Sequence, residues 1–209
     1  MAARWATDVV RRLAVVLLGT CLLASPLEAS MAPSVQRAGW VEVRTRHLRV
    51  LSDAGIDRAS AIAERLERLH EVLAGAAQTL VVEPRRPRVV ILFKDEAGFR
   101  HYRPFYQGTR EVLQGYFQPT PDGEYLLLNG AFGADGAEVA LHEYTHAIVH
   151  EALPQVPLWL NEGLAEFFST FTVDRRSAQV GKVLPEHLAY LKQVDWMPLA
   201  DLFRVVTTS

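Results

Sequence analysis

Three histidines stand four residues apart in LHEYTHAIVH, residues 141–150: His142, His146 and His150, with Glu143 directly after the first. On an α-helix, positions four apart differ by about 40° in direction and about 6 Å in height. His142 and His146 therefore project from one face, one turn apart, and two such imidazoles can converge on a cation about 2.1 Å from each ring nitrogen. Glu143, about 100° round the helix from His142, can reach a water on that cation without taking a coordination position. His150 stands two turns, about 12 Å, from His142, too far to share the ion. Near a helix C-terminus it reads as a solvated or hydrogen-bonded residue whose partly cationic ring suits the dipole.

A third ligand is needed. The metzincin pattern, with its third histidine beyond a glycine, would require Gly at 149 and His at 152, but Val149 and Ala152 stand there. Glu162, in PLWLNEGLAEFF, lies sixteen positions after His146, far enough for the chain to turn at 154–157 and return antiparallel. Two histidines, one glutamate and one position left for water make a catalytic zinc arrangement, because a structural site is closed by four protein ligands. Glu166, one turn beyond Glu162, is placed to accept the outward N–H of a metal-bound histidine. Gly163 is expected to let the two helices approach closely.

Those helices are readable from their ends. Asp135 with Glu138 three residues later resembles a capping box, and Pro154 closes the segment, which predicts a helix over 136–152. A second is predicted over 158–169, and first-turn prolines at Pro185 and Pro198 predict two short ones reaching about 205. Upstream, WVEVRTRHLRVLSD alternates with a change of phase between Thr45 and His47, which reads as two strands and a tight turn or one bulged strand. Ile62, Leu66, Leu69 and Leu73 mark the apolar face of a packing helix over 56–77. RVVILF, residues 88–93, suits a strand covered on both sides, and the Pro-Asp-Gly turn makes 115–129 a hairpin whose strand 124–129 is a candidate edge for an added peptide strand. Strands first and helices later, without a repeat, predict an α+β domain built on a small mixed sheet with packed helices.

Residues 1–30 differ from the rest. Arg4, Arg11 and Arg12 precede an apolar run of about a dozen residues from Leu13, followed by Pro26 and small residues near Ala29, the pattern of a secretory signal peptide. The expected division is a signal over 1–30, a linker over 31–39 and one domain over 40–209, exported to the periplasm or outside the cell. No membrane span is expected after signal removal. Cys21, the single cysteine, lies inside the apolar run, so cysteine-liganded zinc is excluded in the mature chain; lipid anchoring there is not expected, since Thr20 is a poor neighbour for that signal. The formal charge of −2, with its basic residues scattered among acids, leaves no footprint for nucleic acid. The apolar ending LFRVVTTS reads as one part of a longer protein.

HEYTH followed by WLNEGLAEFF resembles the gluzincins, the zinc peptidases typified by thermolysin and aminopeptidase N, and within them the small bacterial peptidase MA-like domains. The likeness covers residues 139–168 closely and the upstream strands and helix loosely. It implies a zincin-like fold, one zinc ion per chain held by His142, His146 and Glu162, Glu143 as general base, Glu166 as the outer carboxylate, and a peptide or protein substrate. NGAFGADG does not resemble the stretch with which the aminopeptidases grip a free amine, which favours an endopeptidase. The oxyanion partner that the family supplies further along has no evident match; Tyr190 is available and reads as a helix-surface aromatic. The alternative expectation is a catalytically inactive zincin-like scaffold or interaction domain of a longer exported protein.

Overall fold

The computed structural model describes residues 39–76, 87–106, 109–110, 113–131, 137–153, 155–174 and 177–205. The expected signal segment, Cys21, nearly all of the expected linker, and Asp135 and Pro154, the expected helix-end signals, lie outside the described residues.

Two short strands, β1 (Val41–Arg44) and β2 (Arg49–Ser52), form an antiparallel hairpin, and the change of phase between them is a turn closed by Thr45 N–H donating to Leu48 O at 2.9 Å. Glu67 holds that turn to the helix that follows, accepting from His47 N–H at 2.8 Å and from the Thr45 hydroxyl. That helix, α1 (Ile56–Ala76), buries Ala59, Ile62, Ala63, Leu66, Leu69 and Leu73, the face its 3.6-residue period assigns to the core.

Strand β3 (Arg88–Phe93) runs parallel to β2, and the short helix α2 (Glu96–Phe99) follows, capped by Asp95 accepting from Gly98 N–H at 3.1 Å. After a 3-10 turn and a two-residue ribbon, β4 (Phe105–Tyr106) with β5 (Thr109–Arg110), come β6 (Gly115–Pro119) and β7 (Glu124–Asn129). The main sheet has the order β1-β2-β3-β7-β6, with β3 and β7 parallel and β6 and β7 antiparallel. Helices α3 (Ala137–Ala152) and α4 (Leu158–Ser169), a second ribbon of β8 (Thr172–Val173) and β9 (Ala178–Gln179), and the short helices α5 (Pro185–Leu191) and α6 (Leu199–Leu202) complete an α+β chain with a mixed five-stranded sheet.

The central strands divide their side chains with period two. Val90, Leu92, Leu126 and Leu128 join α1, α3 and α4 in the main core, whereas Phe93, Phe99 and Leu127 form a smaller cluster on the opposite face. This two-sided cover is why RVVILF reads as a continuous apolar run. Strand β7 is paired on both sides, so the edge expected at 124–129 is a correction: strand order places β6 outermost, and β6 lies against α3. The close approach there is made by Gly115, where a Cβ would come within 2.8 Å of Val139 and 3.0 Å of Leu128.

Two buried contacts fix α3 from behind. Arg88, at the start of β3, donates to Glu124 of β7 at 2.7 Å and to Glu151 of α3 at 3.1 Å, all three side chains being nearly excluded from solvent. The Tyr144 hydroxyl lies 3.0 Å from His70 Nδ1 of α1. Among the described residues no helix is long and apolar enough to cross a membrane.

Candidate metal centre

The face of α3 opposite those anchors carries the chemistry. Leu141, Tyr144, Ala147 and Ile148 point into the core, which leaves His142 and His146 on the side that packs against α4. Between the two helices Leu153 N–H donates to Val149 O and Val156 N–H to Leu153 O, and Pro157 then opens α4, its carbonyl accepting from Asn161 N–H at 3.0 Å. This connection brings the first two turns of α4 beside α3, and with them Glu162.

The three side chains converge. Glu162 Oε2 lies 3.5 Å from His142 Nε2 and 3.7 Å from His146 Nε2, and the two imidazole rings, with centroids 4.8 Å apart, stand at 79° to each other. One ligand atom from each of the three residues lies within 4.8 Å of the others, so the group could hold a metal ion. Bonds of about 2.1 Å in a tetrahedron put ligand atoms about 3.4 Å apart. The two carboxylate-to-imidazole distances therefore already approach a tetrahedral edge. Side-chain exposure rises from 13% at His146 and 25% at His142 to 52% at Glu162, so the group opens to solvent on the α4 side.

The tautomers fit as well. His146 Nδ1 lies 3.1 Å from Asn161 Oδ1; an amide oxygen only accepts, so Nδ1 carries a proton and Nε2 is the ring nitrogen turned towards Glu162. Asn161, buried at the start of α4, was not expected from the sequence to take part. Burial, and after it the neighbouring His146, pull the His142 pKa down to about 4, so its imidazole is neutral near pH 7. Two imidazoles and a carboxylate are a donor set suited to a divalent transition metal, zinc among them.

Glu143 projects beside the group rather than into it. Burial, and with it the nearby Glu162 carboxylate, push its carboxyl up to about 7, against the opposing pull of the Phe117 backbone N–H on β6. A carboxyl titrating near neutrality can both take and give a proton there. His150 is exposed near the end of α3, its ring 5.7 Å from that of Phe117, and it takes no part in the group.

Glu166 faces two ways. Its Oε2 lies 3.7 Å from His142 Nδ1, and its Oε1 contacts Nδ1 of His187 on α5. His187 is the second residue absent from the sequence reading. The expectation for Gly163 is corrected: a Cβ there would meet nothing within 4 Å, because the residue faces an open cleft rather than α3. That cleft, about 730 Å³ and mostly apolar, runs between α4 and α5 past Glu166, Phe167, His187, Leu188 and Leu191. Tyr190 also lines it and is 65% exposed.

No protein-family model, no curated protein and no solved structure matches the chain.

Proposed function

We propose that this chain is an exported zinc metallopeptidase, acting as an endopeptidase. The observation that carries this reading is the convergence of His142, His146 and Glu162 from two antiparallel helices, with Glu143 beside them. His142 Nε2, His146 Nε2 and a Glu162 oxygen would hold the ion. Zinc bound there supplies a Lewis acid that polarises a carbonyl and lowers the pKa of a water towards about 7.

Glu143 takes a proton from the attacking water as the new C–O bond forms at the peptide carbonyl. It then delivers that proton to the amine nitrogen as the C–N bond breaks, and returns to its starting state. Burial of the Glu143 carboxyl disfavours its charged form, which favours holding the proton between the two transfers. Asn161 would fix which nitrogen His146 offers, and Glu166, with Oε2 3.7 Å from His142 Nδ1, would do the same for His142. Among the described residues β6 is the outer strand of the sheet on the side of α3, and its edge beyond the Phe117 N–H that contacts Glu143 is where an extended peptide would add. Export rests on the charged and apolar pattern of residues 1–30.

The test compares the zinc-loaded chain with Glu143→Gln on an unstructured protein substrate. Turnover by the first, and its loss by at least about 100-fold in the second with zinc retained, is the expected result. Equal turnover by both removes Glu143 from the mechanism. Zinc retention without hydrolysis by either form indicates a metal-holding scaffold instead.

A further inference from the structure

Glu166 has one carboxylate and two imidazole neighbours. Its Oε2 stands 3.7 Å from His142 Nδ1, just beyond hydrogen-bond length, and its Oε1 contacts His187 Nδ1. The three residues come from three helices: His142 from α3, Glu166 from α4 and His187 from α5. A glutamate side chain that is 45% exposed, with three rotatable bonds, would not by itself keep one oxygen aimed at a neighbour. His187 supplies the missing restraint. Its Nδ1–H occupies Oε1, which leaves Oε2 as the oxygen directed at His142.

We infer that His187 is a positioning residue for the metal centre, holding Glu166 so that it accepts from His142 Nδ1–H and His142 presents Nε2 to the ion. The inference rests on the zinc site proposed above and extends it to a residue twenty-five positions beyond Glu162. It also gives α5 a role. This seven-residue helix forms the far wall of the apolar cleft, and its first turn is tied to the centre through the Glu166 carboxylate.

The geometry separates isosteres of the histidine. The Asn amide nitrogen occupies nearly the place of imidazole Nδ1 and can donate to Oε1; the Gln amide nitrogen lies one methylene further out, near the place of Nε2. The experiment is a competition titration of the full chain with Zn²⁺ against a chromophoric chelator, on the wild type and on His187→Ala, His187→Asn and His187→Gln. The visible spectrum of the Co²⁺ form is recorded for each. His187→Ala and His187→Gln are expected to bind zinc about fivefold more weakly and to shift the cobalt bands, whereas His187→Asn stays close to wild type. In a Glu166→Gln background the His187→Ala effect should disappear, because the carboxylate through which it acts is gone.

Unchanged affinity and an unchanged cobalt spectrum in both His187→Ala and His187→Gln overturn the inference while leaving the metal site standing. An equal loss in Asn and Gln variants also overturns it, since that is the result of a purely structural role. Where His187→Ala does not fold, the Asn and Gln comparison decides. Failure of the wild type to bind zinc is a separate outcome and refutes the metal centre itself.

Discussion

Asn161 and His146 are joined across the α3–α4 junction, Oδ1 to Nδ1 at 3.1 Å, and this contact decides which nitrogen of His146 faces Glu162. The residue immediately before the candidate carboxylate ligand thus sets the tautomer of a candidate imidazole ligand. Asn161→Ala is expected to weaken zinc binding by about tenfold, because loss of an outer partner typically costs 10–100-fold in affinity. Asn161→Asp, which keeps an oxygen acceptor, should bind at least as tightly as wild type. Chelator competition on the two variants checks this, and equal affinities would remove Asn161 from the centre.

Glu143 and His142 make opposite contributions to stability against pH in the metal-free chain. The Glu143 carboxyl titrates near 7 when folded and near 4.5 when unfolded, so its contribution is fully present below about 4.5 and is lost as pH rises through 7. His142 titrates near 4 when folded and near 6.5 when unfolded, so its imidazole favours folding above about 6.5 and loses that contribution as pH falls towards 4. Between pH 4.5 and 6.5 the two slopes offset each other. Glu143→Gln removes one of them. The variant's unfolding free energy is therefore expected to rise relative to wild type from pH 4.5 to above 7, measured by urea unfolding with a chelator present. A difference that is flat with pH contradicts the raised carboxyl.

Arg88 bridges Glu124 and Glu151 with its own side chain only 1% exposed. Removing one member of such a group leaves the others charged and dry, which costs about 3–5 kcal/mol, whereas replacing the whole group with apolar residues is often neutral. Arg88→Met should fall in that range by urea unfolding. The triple replacement with Glu124→Leu and Glu151→Leu should recover most of the loss. A cost below about 1 kcal/mol for the single variant would mean that α3 is held to the sheet by packing alone.

The helices bearing the centre were legible because their signals are local. Four-residue histidine spacing and the proline-bounded segment before LWLNEG need only a window of a dozen positions, and α3 and α4 cover the ranges expected of them to within a residue. What the sequence hid is nonlocal. Strand 124–129 reads as half of a hairpin, and nothing within it says that β3 will pair with its other side and leave β6 as the edge. His187 lies beyond a two-residue ribbon too short to show any period, on a helix whose direction against α4 no local pattern encodes. Gly163 illustrates the reverse error: a helix glycine next to a candidate ligand reads as a contact point, whereas the close approach belongs to Gly115, in a strand. Arg88 and Glu124 read as strand ends, although folding buries both, since their pairing depends on the register of β3 against β7.

In the proposed centre one divalent ion is shared by two imidazoles of α3 and a carboxylate of α4. The most direct measurement of that sharing is the zinc content of the purified full chain, stripped with chelator, reloaded with Zn²⁺ and dialysed, beside the same treatment of Glu162→Ala. One zinc per wild-type chain is expected, with an affinity at least about 100-fold lower in the variant. No retained zinc in the wild type, or equal retention by Glu162→Ala, would contradict it.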